Sequence, residues 1–162
     1  WRLNYSGQQV MFSAYHLSAS TASDYIDALN FYAIPWVHGY PSTLSLLARY
    51  KIELGLPDLP NLRIVTTGAE SLLVHQKSII ERAFKVPVRE NYGQAEGVAN
   101  ISECPKGRLH VDEDFSFVEF IPVDTIQNAY KIVGTNWANL AFPLIRYDTG
   151  DIAMLAEETC SC

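Results

Sequence analysis

The chain has 162 residues, of which 48% are hydrophobic and 19% charged, with a formal net charge of -6. That balance supports a packed core and argues against both disorder and nucleic acid as the main partner, because phosphate-binding surfaces carry a basic excess. No apolar run reaches the ~20 residues a membrane helix needs, and no signal peptide is visible. The three cysteines, an odd count, disfavour a disulfide framework, so a reducing cytoplasm is the expected setting.

The sequence opens at Trp1 in mid-pattern and closes on Cys160-Ser161-Cys162 without a finishing element, and it reads as a piece of a longer protein. In chain order, Thr21-x-x-Asp24 predicts a capping box, followed by a helix with Ile26, Leu29 and Ala33 on its apolar face and Pro35 as its stop. Trp36 to Gly39 predicts a short buried strand. Pro41-Ser42 opens a second helix with Leu44, Leu47 and Ala48 inward, which Gly55 and Pro57 end. Arg63 to Gly68 is β-branched and predicts a strand; a third helix is expected over Ser71 to Phe84, and a further strand over Val86 to Glu90.

This alternation implies an α/β fold with a parallel sheet flanked by helices over residues 1–97. Ligands in such sheets lie at the carboxyl ends of strands, where Gly39, Gly68 and Gly93 are expected. After Gly97 the pattern changes to short apolar or alternating runs: Val98–Ile101, Leu109–Val111, Phe117–Ile121, Tyr130–Val133 and Ile152–Leu155. They predict a small antiparallel β subdomain over 98–162.

Three stretches carry candidate chemistry. Asn91-Tyr92-Gly93-Gln94-Ala95-Glu96-Gly97 puts an aromatic ring and a carboxylate around a strand end; the ring can stack on a base, and Glu96 can hold Mg²⁺, which prefers oxygen ligands, although a strand ending in a glycine turn with a solvated glutamate has the same pattern. Thr66-Thr67-Gly68-Ala69-Glu70-Ser71 joins a strand to a helix N-terminus, a setting that favours anions, although Ser71 also suits a plain N-cap. Arg146-Tyr147-Asp148-Thr149-Gly150-Asp151 offers carboxylates that can accept hydrogen bonds from a sugar diol, although Asp-Thr-Gly-Asp also suits a simple turn between strands. Separately, Cys104-x5-His110 and Cys160-x-Cys162 supply three thiols and one imidazole, a set suited to tetrahedral Zn²⁺, with Pro105-Lys106-Gly107 as the turn that brings Cys104 to His110. Three incidental thiols and a surface histidine are the alternative. His38 reads as a core or pocket-wall residue, His75 as a solvated one, and Asp112-Glu113-Asp114 as a charged turn.

In this order the three stretches resemble the AMP-forming adenylate-forming acyl-CoA ligase superfamily, in particular the phenylacetate–CoA ligase branch and its capsular polysaccharide biosynthesis-like relatives. Ala14-Tyr15-His16-Leu17-Ser18, His38-Gly39-Tyr40-Pro41-Ser42 and Asn139-Leu140-Ala141-Phe142-Pro143-Leu144-Ile145-Arg146-Tyr147 extend the resemblance over nearly the whole chain. It implies the central part of the large N-terminal domain of such an enzyme. The implied reaction is ATP-dependent adenylation of a carboxylic acid, then transfer of the acyl group to coenzyme A.

The same resemblance places Tyr92 against adenine, Glu96 on Mg²⁺ as the catalytic carboxylate, and Asp151 on the ribose. Asn91, Gly93 and Gln94 flank the nucleotide; Gly68, Ala69 and Glu70 line the adenine and acyl pockets; Tyr15, His16, Tyr40 and Pro41 lie on the acyl or thiol side. Relatives carry Cys and His near the candidate zinc ligands, where the metal's role would be structural. Two departures stand out: Ala95 replaces a hydroxyl residue before the motif glutamate, and Asp148 replaces the usual arginine of the last motif.

The phosphate loop and the C-terminal lid with its lysine are expected outside these 162 residues, so the chain alone is expected not to adenylate. A non-catalytic nucleotide- or acyl-binding module and a structural α/β domain are the other readings. Neither the carboxylic acid nor the oligomeric state is legible.

Overall fold

The computed structural model describes residues 1–162. They form two compact units, Trp1–Val88 and Arg89–Cys162.

The first unit opens with a hairpin of β1 (Arg2–Asn4) and β2 (Gln9–Met11), which the sequence pattern did not predict. Helix α1 (Ala22–Phe31) follows, then β3 (Trp36–Gly39), α2 (Pro41–Glu53), β4 (Ile64–Thr67) and α3 (Val74–Phe84). Strands β3 and β4 are parallel and in register from Trp36–Ile64 to Gly39–Thr67, with α2 as the crossover the βα pattern implies. The core holds Ile26, Leu44, Leu47, Val65, Ile80 and Val88, each nearly or fully buried. Burying one such side chain contributes about 1.5–3 kcal/mol before the entropy of ordering it.

The helix ends explain several departures from the sequence pattern. Thr21 is the N-cap of α1, but its hydroxyl donates to the His16 carbonyl at 2.7 Å and accepts from the Ser18 N–H at 3.0 Å, so no capping box forms. Ala33 is not on the helix face. It sits beyond the α1 C-cap with φ +50°, while the Ile34 N–H bonds back to the Leu29 carbonyl, which closes the helix before Pro35. Gly55 plays the same part after α2, with φ +60° and the Leu56 N–H on the Lys51 carbonyl. Helix α3 starts three residues later than expected: Leu73, not Ser71, is its N-cap, and Gln76 accepts the Leu73 N–H. Trp36 and His38 form a strand as predicted, but both side chains are exposed in this unit, so the buried-strand and core-histidine readings fail.

Asp58 joins the C-terminal ends of α2 and α3. It accepts from Lys51 Nζ at 3.1 Å and from Lys85 Nζ at 2.6 Å. Lys51 is buried, and Lys85 adopts the left-handed conformation (φ 59°) that glycine usually supplies at a helix end. Hydrogen bonds from Lys85 and Lys51 hold the Asp58 carboxyl below the usual carboxylate range.

The chain enters the second unit along β5 (Val88–Gly93), which is longer than the expected Val86–Glu90, so Tyr92 and Gly93 are its last residues. In this unit β5 pairs antiparallel with β6 (Asn100–Glu103), and β6 with β7 (Leu109–Val111). A second antiparallel sheet has the order β10-β9-β8, built from β8 (Phe117–Pro122), β9 (Ala129–Thr135) and β10 (Tyr147–Met154). The fold is therefore α/β, with small antiparallel sheets after the βαβ segment, as the sequence pattern implies.

Gly134 sits where β9 crosses the Val98 backbone. A Cβ there would overlap the Val98 carbonyl group, a backbone neighbour that cannot rotate away. Gly134→Ala is expected to destabilise the chain by about 1–3 kcal/mol in urea denaturation, the usual cost of overpacking. Asp58→Asn is expected to lower the melting temperature at pH 7, because it leaves the buried Lys51 without its anionic partner. The folded pKa of Asp58 is depressed, so its stabilisation is complete above the unfolded value of about 3.9 and is lost as pH falls through the folded value. The melting-temperature gap between variant and parent should therefore close below about pH 4.

Candidate functional site

The second unit brings together the motif stretches 91–97 and 146–151. Strand β10 runs in register with β9 through Tyr147–Gly134 and Asp148–Val133, then resumes at Ile152–Lys131. Thr149, Gly150 and Asp151 thus oppose Ile132 alone, and the strand bulges. The Thr149 hydroxyl donates to the Ile132 carbonyl at 2.9 Å, which occupies an acceptor the bulge would otherwise leave open. Gly150 takes φ +79° with nothing near its missing Cβ, so the left-handed backbone is what requires glycine there. The turn alternative for Asp-Thr-Gly-Asp fails: the stretch lies inside a strand, as its bulge, and does not follow one.

The bulge aims Asp151 at the end of β5. The Tyr92 hydroxyl donates to Asp151 Oδ2 at 2.7 Å, and Tyr92 packs its ring against the Ala99, Ile101 and Ile132 cluster. Burial, then the hydrogen bond and charge of Asp151, push the Tyr92 phenol up to about 12, with Thr149 opposing. The phenol is therefore a donor throughout the neutral range. Two positions before the bulge, the Tyr147 hydroxyl donates to Glu96 Oε1 at 3.2 Å, and that bond raises the Tyr147 pKa. Glu96 lies in the turn after β5, where Asn136 Nδ2 donates to its carbonyl at 3.3 Å. Its exposed carboxylate keeps a second oxygen for a ligand.

The flanking residues hold the frame. Asn91 Nδ2 donates to Asn100 Oδ1 at 3.1 Å across β5 and β6. Asn100 and Ser102 both donate to Asp112 Oδ2, so Asp112 anchors this sheet and is more than part of a charged turn. Gln94 accepts the Ala99 N–H at 3.4 Å, while its Nε2 is buried without a protein partner. Asp148 accepts from Lys131 Nζ of β9 at 2.9 Å, and this hydrogen bond draws its pKa down.

In the first unit Gly68, Ala69, Glu70, Tyr40 and Pro41 follow the carboxyl ends of β3 and β4, while Tyr15 and His16 lie in the segment before α1. The Gly68 N–H bonds the Gly39 carbonyl at 3.3 Å, and Ala69 follows with φ +64°. Tyr40 is the half-exposed N-cap of α2 and Pro41 its buried first residue. Glu70 accepts from the Ser42 N–H at 3.1 Å and from the Ser42 hydroxyl at 2.9 Å, so its carboxylate caps α2 and complements the positive end of that helix. Tyr15 is almost fully exposed, and His16 Nδ1 hydrogen-bonds the Ser13 hydroxyl at 2.8 Å.

Cys104, His110, Cys160 and Cys162 also converge. Their ligand atoms all lie within 4.8 Å of one another. The β6–β7 hairpin turns as the sequence predicts, with the Gly107 N–H on the Cys104 carbonyl at 2.9 Å and Gly107 at φ +76°. Cys104 Sγ lies 3.8 Å from Cys160 Sγ, and Cys162 Sγ lies 3.5 Å from His110 Nε2. For Cys104 burial opposes ionisation, but hydrogen bonds from the Arg108 and Lys106 backbone, His110 and Cys160 outweigh it and bring the thiol down to about 6. Its neighbours Cys160 and Cys104 push Cys162 up to about 11.

Sequence reasoning missed Tyr147 as the partner of Glu96, although it lies inside a quoted stretch. It also missed Asn136 and Lys131, which no local pattern distinguishes.

No protein-family model matches the chain. It is 31% identical to Protein CapK of Staphylococcus aureus over 162 residues, covering 98% of this chain and 35% of CapK. It is 30% identical over 134 residues to the phenylacetate-coenzyme A ligase of Thermus thermophilus, covering 75% of this chain and 30% of that protein. The chain belongs to the adenylate-forming ligase superfamily, as a partial chain. Among solved structures it resembles 2-hydroxyisobutyryl-CoA ligase in complex with 2-HIB-AMP and CoA, with a TM-score of 0.69 and 19% identity over 85% of this chain and 35% of that one. It is thus an acyl-CoA ligase-like domain that spans about a third of the length of the curated relatives it matches. No helix is long and apolar enough to cross a membrane.

Proposed function

We propose that the chain carries the adenosine-recognition part, and part of the acyl side, of an ATP-dependent, AMP-forming acyl- or aryl-CoA ligase of the phenylacetate and capsular polysaccharide branch, acting in the cytoplasm. The observation that carries this reading is the hydrogen bond of Tyr92 to Asp151 across the β10 bulge. In the proposed reaction a carboxylate oxygen attacks the α-phosphorus of ATP, pyrophosphate leaves, and the thiol of coenzyme A then displaces AMP from the acyl-adenylate. Tyr92 presents its ring to adenine, Asp151 accepts from the ribose hydroxyls, and the buried Gln94 Nε2 is a donor without a protein partner in the same motif. Asn91 and Gly93 shape the strand end.

Glu96 has the chemistry to hold Mg²⁺: an exposed carboxylate with one oxygen fixed by Tyr147 and the other open. Such an ion would offset charge on the phosphates. In the first unit we assign Gly68, Ala69, Tyr40, Pro41, Tyr15 and His16 to the acyl and thiol side, with Glu70 contributing through its backbone because Ser42 occupies its carboxylate.

The cysteine–histidine cluster fits structural Zn²⁺. Tetrahedral coordination with Zn–S near 2.3 Å and Zn–N near 2.05 Å requires S···S edges of about 3.8 Å and S···N edges of about 3.6 Å. The Cys104–Cys160 and Cys162–His110 separations meet both. The metal would tie the β6–β7 hairpin to the residues after β10, and thiols kept for it suit a reducing compartment.

A second reading, a nucleotide-binding module without catalysis, draws support from Ala95, which has no hydroxyl to offer the α-phosphate, and from Asp148, which is spent on Lys131.

Calorimetry with a non-hydrolysable acyl-adenylate analogue is expected to show binding to the chain, weakened at least about tenfold by Tyr92→Ala or Asp151→Ala, without pyrophosphate release from ATP and a carboxylic acid panel. Binding untouched by either substitution would refute the adenosine assignment, and turnover by the chain alone would refute its dependence on further parts. Elemental analysis of chain purified without chelator is expected to give one zinc per molecule, lost in Cys104→Ser; a metal-free wild-type chain would remove the zinc assignment.

A further inference from the structure

A groove on the first unit, formed by α2 and α3, has a chemistry that the ligase reading does not use. Ser45 and Arg49 lie four residues apart on α2, and His75, Ser78, Ile79 and Arg82 follow i, i+3, i+4, i+7 spacing on α3, so each set lies along one face. The opposite faces of the same helices bury Leu44, Leu47, Ala48, Ile80 and Ala83, which fixes the direction of the groove. Its volume is about 370 Å³, within the range of small-molecule sites.

No carboxylate lines this groove. Arg82, His75 and Ser78 carry donors that meet no protein acceptor. Arg49 has a single ion pair, from its Nε to Glu53 at 3.9 Å, with both side chains more than half exposed; such a pair is weak and leaves the terminal guanidinium nitrogens open. Glu81, the acidic neighbour of Arg82, turns its carboxylate to the Val88 N–H at 3.4 Å. In a chain of net charge -6, two guanidiniums thus line one cleft, Arg82 without a counter-charge and Arg49 with a weak, exposed one. Guanidinium forks and hydroxyls are the donors that match the tetrahedral oxygens of phosphate. Ile79 adds an apolar wall that inorganic phosphate alone would not need.

We propose that this groove binds a phosphate monoester, with Arg49 and Arg82 on the phosphate and Ile79 against its organic group. The site is independent of the ligase reading and stands or falls by itself.

Titration of the ¹⁵N-labelled chain with phenyl phosphate, inorganic phosphate and sodium chloride at matched ionic strength tests it. Phenyl phosphate is expected to give saturable shifts confined to the amides of 45–49 and 75–82, with inorganic phosphate several-fold weaker and chloride without effect. Arg82→Gln is expected to weaken phenyl phosphate about tenfold while the spectrum stays dispersed. Should that variant fail to fold, Arg49→Gln, on an exposed position of the other helix, gives the same reading. Shifts that do not saturate, or that chloride reproduces, or an affinity that neither substitution changes, would overturn the site. Equal affinity for inorganic phosphate would overturn the monoester assignment.

Discussion

The bulge in β10 is the constraint on which the candidate site depends. A regular strand would pair Asp151 with the β9 ladder; three residues opposite Ile132 push it out of register instead, far enough to meet the Tyr92 hydroxyl. The hydrogen bond spans 59 positions of sequence and joins two sheets of one unit. Each element of the bulge has a job with a physical reason: Gly150 supplies the left-handed backbone, Thr149 satisfies the Ile132 carbonyl, and the Lys131–Asp148 pair holds the strand just before it leaves register. Gly134 lets β9 lie against Val98, next to the turn that carries Glu96. The same strand end therefore sets the positions of Tyr147 and Glu96.

Asp148 is tied into the sheet by local chemistry. Asp148 stands opposite Val133 on β9 and reaches the ammonium of Lys131, two residues away along that strand. The pair is an attraction across β9 and β10, although an exposed one of modest strength.

Much of the fold was legible because its signals are local. The apolar spacing of Leu44, Leu47 and Ala48, the β-branched run at Ile64 to Thr67, and the cysteine and histidine spacing around Pro105-Lys106-Gly107 each predict what the structure contains. The misses lie where tertiary partners decide. Thr21 has the sequence of a capping residue, but the carbonyl of His16 and the N–H of Ser18 claim its hydroxyl. Ala33 fits helical spacing, but chain reversal before Pro35 puts it in a left-handed position. Asp-Thr-Gly-Asp reads as a turn because a bulge uses the same residues as a turn; only pairing with Ile132 distinguishes the two. The Glu70 carboxylate is held by Ser42 at the start of α2, a contact between segments 28 residues apart that no window of sequence contains.

The central claim is that Tyr92 and Asp151 form one recognition surface for an adenosine group. Transferred nuclear Overhauser measurements between the adenine H2 and H8 protons of a bound acyl-adenylate analogue and a chain with labelled tyrosines test it most directly. The account predicts cross-relaxation to the Tyr92 ring protons, abolished in Tyr92→Ala. Contact of the adenine protons with other tyrosines, and none with Tyr92, would contradict it.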